Sequence, residues 1–293
     1  MEFLLEIEDR GYPTEYLLAR IRGRRSALMG ESVRMRFLRE PAWIYHQMNN
    51  RLRNIFRPYF IYSELNTVLV CLRYRTAKGS SPETAHLLES SLLSDKMRDL
   101  MQHDADLTAV LKILEKRVSF IRYNAAGLER SFLEEGLKGV EQKITAALFE
   151  YILNMDTDPL LKRFFVYIID ARNIITLHKH LRWDTTSLPL FIEGGQIKKA
   201  LLAGILRSYD TEALADLICR QTGIRVAEQD AARIDNALQR RLTGKIKKWE
   251  RENPETGLVL NYLWWCATEA KNLSILHHGR GIGKDILKEE LVH

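Results

Sequence analysis

The chain has 293 residues, 46% hydrophobic and 28% charged, with a formal net charge of +6 at pH 7 and a pI near 9.1. These values describe an ordinary globular protein, long enough for one large domain or two to three small ones. No apolar run approaches the roughly 20 residues that cross a bilayer, which excludes a membrane-spanning protein. With only 7 prolines and 16 glycines, the composition favours helices.

The first 57 residues contain eleven arginines and no lysine, in runs such as ARIRGRR and RMRFLRE. One interpretation is a solvated helical face with ion pairs to Glu15, Glu31 and Glu40. A second is docking to an acidic protein or an anionic surface, and a third is nucleic-acid binding, for which a charge excess is a weak signal.

Two features indicate the compartment. The opening MEFLLEIEDRG carries acids where a signal peptide needs a basic region, so none is expected. The cysteines Cys71, Cys219 and Cys266 are scattered, odd in number and without metal-ligand spacing. They indicate buried thiols in a reducing cytoplasm.

Helical periodicity continues along most of the chain. In DLTAVLKILEKRVSFI (106–121) apolar residues recur at three- and four-residue steps, and TEALADLICRQTG (211–223) does the same. The helix predicted over 211–223 should have Thr211 as its N-cap and end at Gly223. AARIDNALQRRLTGKIKKWERE (231–252) is long and amphipathic. Because convincing alternating strands are absent, we predict an all-α fold, with loops at 78–84, 156–159, 184–195 and 251–257.

Three helical segments share a pattern centred on an asparagine: YSELNTVLVCLRYR (62–75), IIDARNIITLHKHLR (168–182) and ATEAKNLSILHHGR (267–280). Apolar residues follow the asparagine, an arginine lies eight or nine positions on, and the last two copies have an acid three residues before the asparagine. The motif residues are Asn66 and Arg75, then Asp170, Asn173 and Arg182, then Glu269, Asn272 and Arg280. The nearly constant spacing predicts three similar helical domains, 1–84, 85–192 and 193–293, around a pseudo-threefold axis.

The repeated polar residues predict a structural role. Asp170 and Asn173 lie on one helical face, where they can together satisfy backbone or arginine donors from a neighbouring helix. In the first copy Ser63 takes the place of the acid, with Glu64 beside it. A catalytic carboxylate is the alternative, but no second acid, metal ligand or nucleophile recurs beside it.

Two other clusters suggest ligand sites and fail the spacing test. His178 and His180 are two residues apart on a helix and point about 200° away from each other, so they cannot chelate one ion. In HHGRGIGKDIL, His278 stands where a P-loop needs its first glycine, and Asp285 where it needs a hydroxyl. These glycines should instead end a helix, since glycine tolerates the left-handed conformation. We therefore predict no catalytic, cofactor-binding or metal-binding residue and no cofactor.

The middle segments VYIIDARNIITLHKHLR and FIEGGQIKKALL and the tail VLNYLWWCATEAKNLSILHHGRGIGKDILKEEL resemble the C subunit of the V/A-type ATPases and ATP synthases. That protein is equivalent to the d subunit of eukaryotic V-ATPases. The resemblance covers about residues 145–293 well and 1–144 loosely, where EYLLARIRGRRSAL is similar to the family's opening helix.

The resemblance implies a protein with no chemistry of its own. Members form a funnel of three helical domains on the cytoplasmic side of the membrane, between the rotor ring of proteolipid subunits and the central axle. The expected role is to transmit torque that couples ATP turnover to proton or sodium movement, with no nucleic acid and no membrane span. The alternatives are a free-standing helical-repeat binding module for an acidic protein or nucleic acid, and a hydrolase or nucleotide enzyme.

Overall fold

The computed structural model describes residues 11–27, 34–77, 82–102, 106–118, 121, 125–183, 189–224, 230–279 and 291–292. Within these ranges the fold is all-α, as predicted, with twelve helices and no strand. The helices are α1 Thr14–Ala27, α2 Arg34–Gln47, α3 Asn50–Thr76, α4 Pro82–Glu89, α5 Asp95–Gln102, α6 Leu107–Arg117, α7 Leu128–Asn154, α8 Pro159–Trp183, α9 Lys199–Ser208, α10 Thr211–Thr222, α11 Ala231–Glu252 and α12 Thr256–His278.

The helix boundaries agree with the sequence where a capping residue is unambiguous. Gly223 ends α10 in the left-handed conformation, with φ of 77°. The predicted N-cap at Thr211 is wrong by one residue, because Asp210 holds that position and its side chain accepts a hydrogen bond from the Ala213 N–H. Aspartate and threonine are both favoured at the N-cap position, so residue type alone does not predict which of the two caps α10.

The predicted loops are confirmed in part. The loop at 78–84 is too long at its end, because α4 begins at Pro82, and proline fits the first helical position, where its missing N–H costs nothing. Gly279 follows the end of α12 as its C-cap, as expected, and its N–H bonds the Ile275 carbonyl. Gly279 does so with φ of −81°, without the left-handed conformation. Gly281 and Gly283 lie outside the described residues.

The chain divides into two compact units. The first comprises the residues up to Leu17 together with Pro41–Leu161, and the second comprises Leu18–Glu40 and the residues from Lys162 onward. The predicted division into three domains stays a prediction.

In the first unit α3 is the central helix and packs against α4, α5, α6 and α7. Its fully buried side chains include Phe56, Phe60 and Ile61. The Glu115 carboxylate of α6 accepts hydrogen bonds from the N–H groups of Gly127 and Leu128 at 2.9 and 3.0 Å. An acid at this place satisfies donors that the first turn of α7 leaves free and complements the helix dipole.

In the second unit α11 packs against α12 and α10, and α9 packs against α10. One apolar core joins α8, the 191–197 region and helices α9 to α11. Its buried members are Ile174, Leu177, Phe191, Ile197, Leu202, Ile205, Leu206, Leu214, Leu217, Ile218, Ile234 and Leu238. This core includes Phe191 and Ile197, at the two ends of the loop before α9, so the loop must have a fixed conformation. The hydrogen bonds of Asp170 and Asn173 described below hold it in that conformation.

No helix in the described ranges is long and apolar enough to cross a membrane. Of the three cysteines, Cys71 and Cys266 are buried and Cys219 is partly exposed. Burial raises the pKa of the Cys71 thiol to about 11, which leaves it protonated and unreactive at neutral pH.

Candidate functional site

Asn173 of α8 binds both backbone groups of one residue, Ile192. Its Nδ2 donates to the Ile192 carbonyl at 2.9 Å, and its Oδ1 accepts from the Ile192 N–H at 2.8 Å. Asn173 is 1% exposed, so both bonds replace hydration that the side chain has lost. We call this two-bond arrangement an asparagine clasp. The sequence predicted donors on a neighbouring helix, whereas the partner is a loop 19 residues further along the chain.

Asp170, one helical turn before Asn173, holds the same loop at its other end. Its Oδ2 accepts from the Gln196 N–H at 3.1 Å and its Oδ1 from the Ile197 N–H at 3.0 Å. Burial raises the pKa of the Asp170 carboxyl, and the two backbone hydrogen bonds oppose that rise. A Cβ on Gly195 would collide with the Asp170 carboxylate, so the loop needs glycine for this close approach.

Asn272 of α12 forms the same clasp on Val292. Its Nδ2 donates to the Val292 carbonyl and its Oδ1 accepts from the Val292 N–H, both at 2.9 Å. Asn272 is buried, Val292 is 2% exposed, and Arg240 of α11 donates to the neighbouring Leu291 carbonyl at 2.8 Å. Two of the three predicted motif asparagines therefore have identical bonding, each to a residue about 20 positions downstream.

In the first segment the buried acid is Glu64. Glu64 is 5% exposed, and its carboxyl is hydrogen-bonded to the Leu92 backbone and to the Thr67 side chain. Its Oε2 has no hydrogen-bond partner among the described residues. Asn66 is half-buried and has a polar or electrostatic interaction of its own, and Arg75 donates from Nη1 to the Leu100 carbonyl at 3.4 Å. Sequence reasoning noted Glu64 without assigning it a role, although an acid in an apolar stretch was the available signal.

Burial raises the pKa of Glu64 to about 7, opposed by its hydrogen bonds to Leu92 and Thr67 and by the charge of Arg98. The folded chain therefore holds a proton that the unfolded chain releases near pH 4.5, so this group makes the fold less stable as pH rises from 5 to 8. We expect wild type to lose about 2 to 3 kcal/mol of unfolding free energy through this titration between pH 5 and pH 8. Glu64→Gln has no carboxyl to titrate, so it should keep that free energy and be more stable than wild type at pH 8.

The measurement is urea unfolding at several pH values for wild type, Glu64→Gln and the control Glu150→Gln, whose side chain is exposed on α7. The control should follow the wild-type curve. Parallel curves for wild type and Glu64→Gln would show that Glu64 does not titrate in this range.

The remaining motif residues differ in burial. Arg182 is exposed near the end of α8, and Glu269 is half-buried one turn before Asn272. Arg280 lies outside the described residues.

His178 and His180 do not share a ligand-binding geometry. His178 is buried, and His180 uses its Nδ1 for a 2.9 Å hydrogen bond with the Thr176 carbonyl on its own helix. Across the described residues, no group of three or more histidine, cysteine or acidic side chains is placed to hold a metal ion.

A second buried polar cluster lies in the second unit. Arg24 of α1 forms a bidentate ion pair with Glu40 of α2, with nitrogen–oxygen distances of 2.6 to 3.0 Å. The Tyr262 hydroxyl of α12 donates to Glu40 Oε2 at 2.9 Å. Burial raises the pKa of the Tyr262 hydroxyl far above its usual range, so it stays a donor. This confirms the ion pair to Glu40 among those predicted for the arginine-rich region.

Beside this cluster is a surface pocket of about 230 Å³. It is lined by Ile21, Arg22, Glu250, Leu258, Asn261 and Tyr262. The Asn261 side chain donates to the Glu250 carboxylate, so two of the polar lining groups already bind each other.

The fold and these contacts define an all-helical protein whose buried carboxylates and amides bind its own backbone. The sequence matches the family of the ATP synthase (C/AC39) subunit over residues 2–290. The chain therefore belongs to this family, the C/d subunits of V/A-type ATPases, which are accessory subunits of those enzymes. The comparison with curated proteins finds no match.

Proposed function

We propose that this chain is a non-catalytic adapter in the central stalk of a V/A-type ATPase. It links the membrane rotor ring of proteolipid subunits to the central axle, on the cytoplasmic face of the membrane, and transmits the torque that couples ATP turnover to proton or sodium transport. The observation that carries the proposal is the family match over residues 2–290, nearly the whole chain.

The clasps support a mechanical role. A torque-bearing part has to resist deformation, and a loop held by hydrogen bonds at both ends deforms less than one held by apolar contacts alone. Asp170 and Asn173 hold the 192–197 loop in this way, with four hydrogen bonds from two side chains on one helix face.

We further propose that the three asparagine segments are copies of one structural unit. The identical clasps of Asn173 and Asn272 support equivalence of the second and third copies. In the first copy Glu64 bonds the backbone of Leu92, 28 residues on, much as Asp170 bonds Gln196 and Ile197, 26 and 27 residues on. If Glu64 is equivalent to Asp170, the position equivalent to Asn173 in the first copy is Thr67, one residue after the predicted Asn66.

The proposed function is tested by isolating membranes that contain an affinity-tagged copy of the chain in its native host. Rotor-ring proteolipid subunits and axle subunits should co-purify with it. Deleting the gene should leave ATP hydrolysis by the soluble head and abolish ATP-driven ion transport into membrane vesicles. Recovery of the chain from intact cells as a free monomer, with ion transport unchanged by the deletion, would contradict the proposal.

A further inference from the structure

Helix α11 has one apolar side and one basic side. Ile234, Leu238, Leu242 and Ile246 are buried, at the spacing of one helical face. The residues on the opposite side around the helix centre are basic. This basic face consists of Arg240, Arg241, Lys247, Lys248 and Arg251, spread over roughly 17 Å of helix. From 240 to 252 the chain carries six basic and two acidic residues.

Gly244 lies at the centre of the basic face. It is exposed inside a regular helix, and a Cβ built on it would meet no atom of the part of the chain that the structure describes within 4 Å. Glycine is the poorest helix former after proline, and here no close packing against the described residues requires it. Its four nearest neighbours on the helix surface, three and four residues away in each direction, are Arg240, Arg241, Lys247 and Lys248. The missing side chain thus leaves a notch bordered by four basic residues.

Most of this charge is available to a partner. Arg241, Lys247 and Arg251 form no hydrogen bond or ion pair with the described residues. The Lys248 ammonium lies 3.9 Å from Glu252 Oε1 and remains 76% exposed. Arg240 uses Nη2 for the Leu291 carbonyl. No residue of α11 is an exposed large hydrophobic, so binding at this face would be driven by charge.

We propose that the basic face docks an acidic helical segment of a partner protein, with a glutamate or aspartate side chain seated in the notch over Gly244. Helices approach each other most closely where one presents a small residue, and the notch provides that position. Arginine binds carboxylates in a bidentate geometry, which a fixed acidic side chain can match. An anionic bilayer is flat and would contact only the ends of the basic side chains, so the notch would not contribute to its binding.

The probe is a labelled alanine-based peptide of about 20 residues, long enough to form a helix in water, with glutamates along one face. Wild type should bind it with an affinity that falls as salt rises, because exposed charges are screened. Gly244→Gln fills the notch and keeps every charge, and should weaken binding about tenfold or more. The matched control Ala232→Gln, exposed near the start of α11, should bind like wild type.

A second pair of variants tests the charges. Lys247→Glu with Lys248→Glu should abolish peptide binding, while Lys179→Glu with Lys198→Glu, an equal charge change at exposed positions off α11, should leave most of it. Phosphatidylglycerol vesicles and duplex DNA are measured in parallel. Equal peptide binding by Gly244→Gln and wild type, or tighter binding of vesicles or DNA than of peptide, would overturn the proposal. Peptide binding at the basic face does not depend on the stalk function, because co-purification with the rotor-ring and axle subunits can succeed or fail whatever the peptide result is.

Discussion

Replacing Gly257 with alanine is expected to lower the free energy of unfolding by about 3 kcal/mol. Gly257 lies in the first turn of α12, where the backbone of α11 passes very close. A Cβ there would stand 2.5 Å from the Glu250 Cα, 2.8 Å from the Trp249 carbonyl oxygen and 2.9 Å from the Glu250 nitrogen. These are backbone atoms, which cannot turn aside as a side chain does. The two helices would have to separate, opening the contacts between α11 and α12.

The measurement is thermal and urea unfolding followed by circular dichroism at 222 nm, a wavelength that reports helix. Gly204→Ala is the matched control, because Gly204 also lies in a helix, α9, and a Cβ on it would meet none of the described residues within 4 Å. That variant should gain up to about 1 kcal/mol from the better helix propensity of alanine. Equal melting temperatures for Gly257→Ala and wild type would show that the helices do not approach this closely.

Asn173→Leu is expected to cost about 2 to 3 kcal/mol of unfolding free energy. Leucine branches at Cγ as asparagine does but makes no hydrogen bond, so the Ile192 N–H and carbonyl lose their partners together. The burial of a larger apolar side chain offsets only part of this loss. Urea unfolding at pH 7 measures the difference.

Two further variants separate the clasp from its surroundings. Gln196→Leu changes an exposed side chain in the same loop and keeps its backbone bond to Asp170, so it should unfold within about 0.5 kcal/mol of wild type. Asn272→Leu should lose as much stability as Asn173→Leu, since its clasp on Val292 has the same geometry. If Asn173→Leu proved as stable as wild type, the clasp would be energetically unimportant.

The sequence predicted the helices well because a helix is a local structure. The periodicity of 231–252 and the break at DTDP (156–159) depend on neighbouring residues, and α11 and the end of α7 follow them closely. The errors are at ends where two signals compete, as at Asp210 and Thr211. A kink such as that at Gly136 inside α7, with φ of 68°, has no comparable signal in a single sequence.

The polar site was predicted less completely because its partners are distant in sequence. Spacing placed Asp170 and Asn173 on one helical face, but it could not say which donors they meet. The answer depends on how the 192–197 loop returns to α8, which the whole core decides. Glu64 shows the same limit: its neighbour Ser63 fitted the pattern by count, while burial and the bond to Leu92 single out Glu64.

The hydrogen bonds that Asn173 and Asp170 form with the two ends of the loop before α9 also restrict how the length of this loop can change. Asn173 recognises both backbone groups of Ile192, so shifting the chain by one residue breaks both bonds at once. Asp170 fixes Gln196 and Ile197 a few residues later. Insertions and deletions between Ile192 and Gln196 must therefore break the hydrogen bonds at one end of the loop, and those directly before Ile192 would displace the buried Phe191. An engineered tag or linker should therefore not be inserted between Phe191 and Ile197.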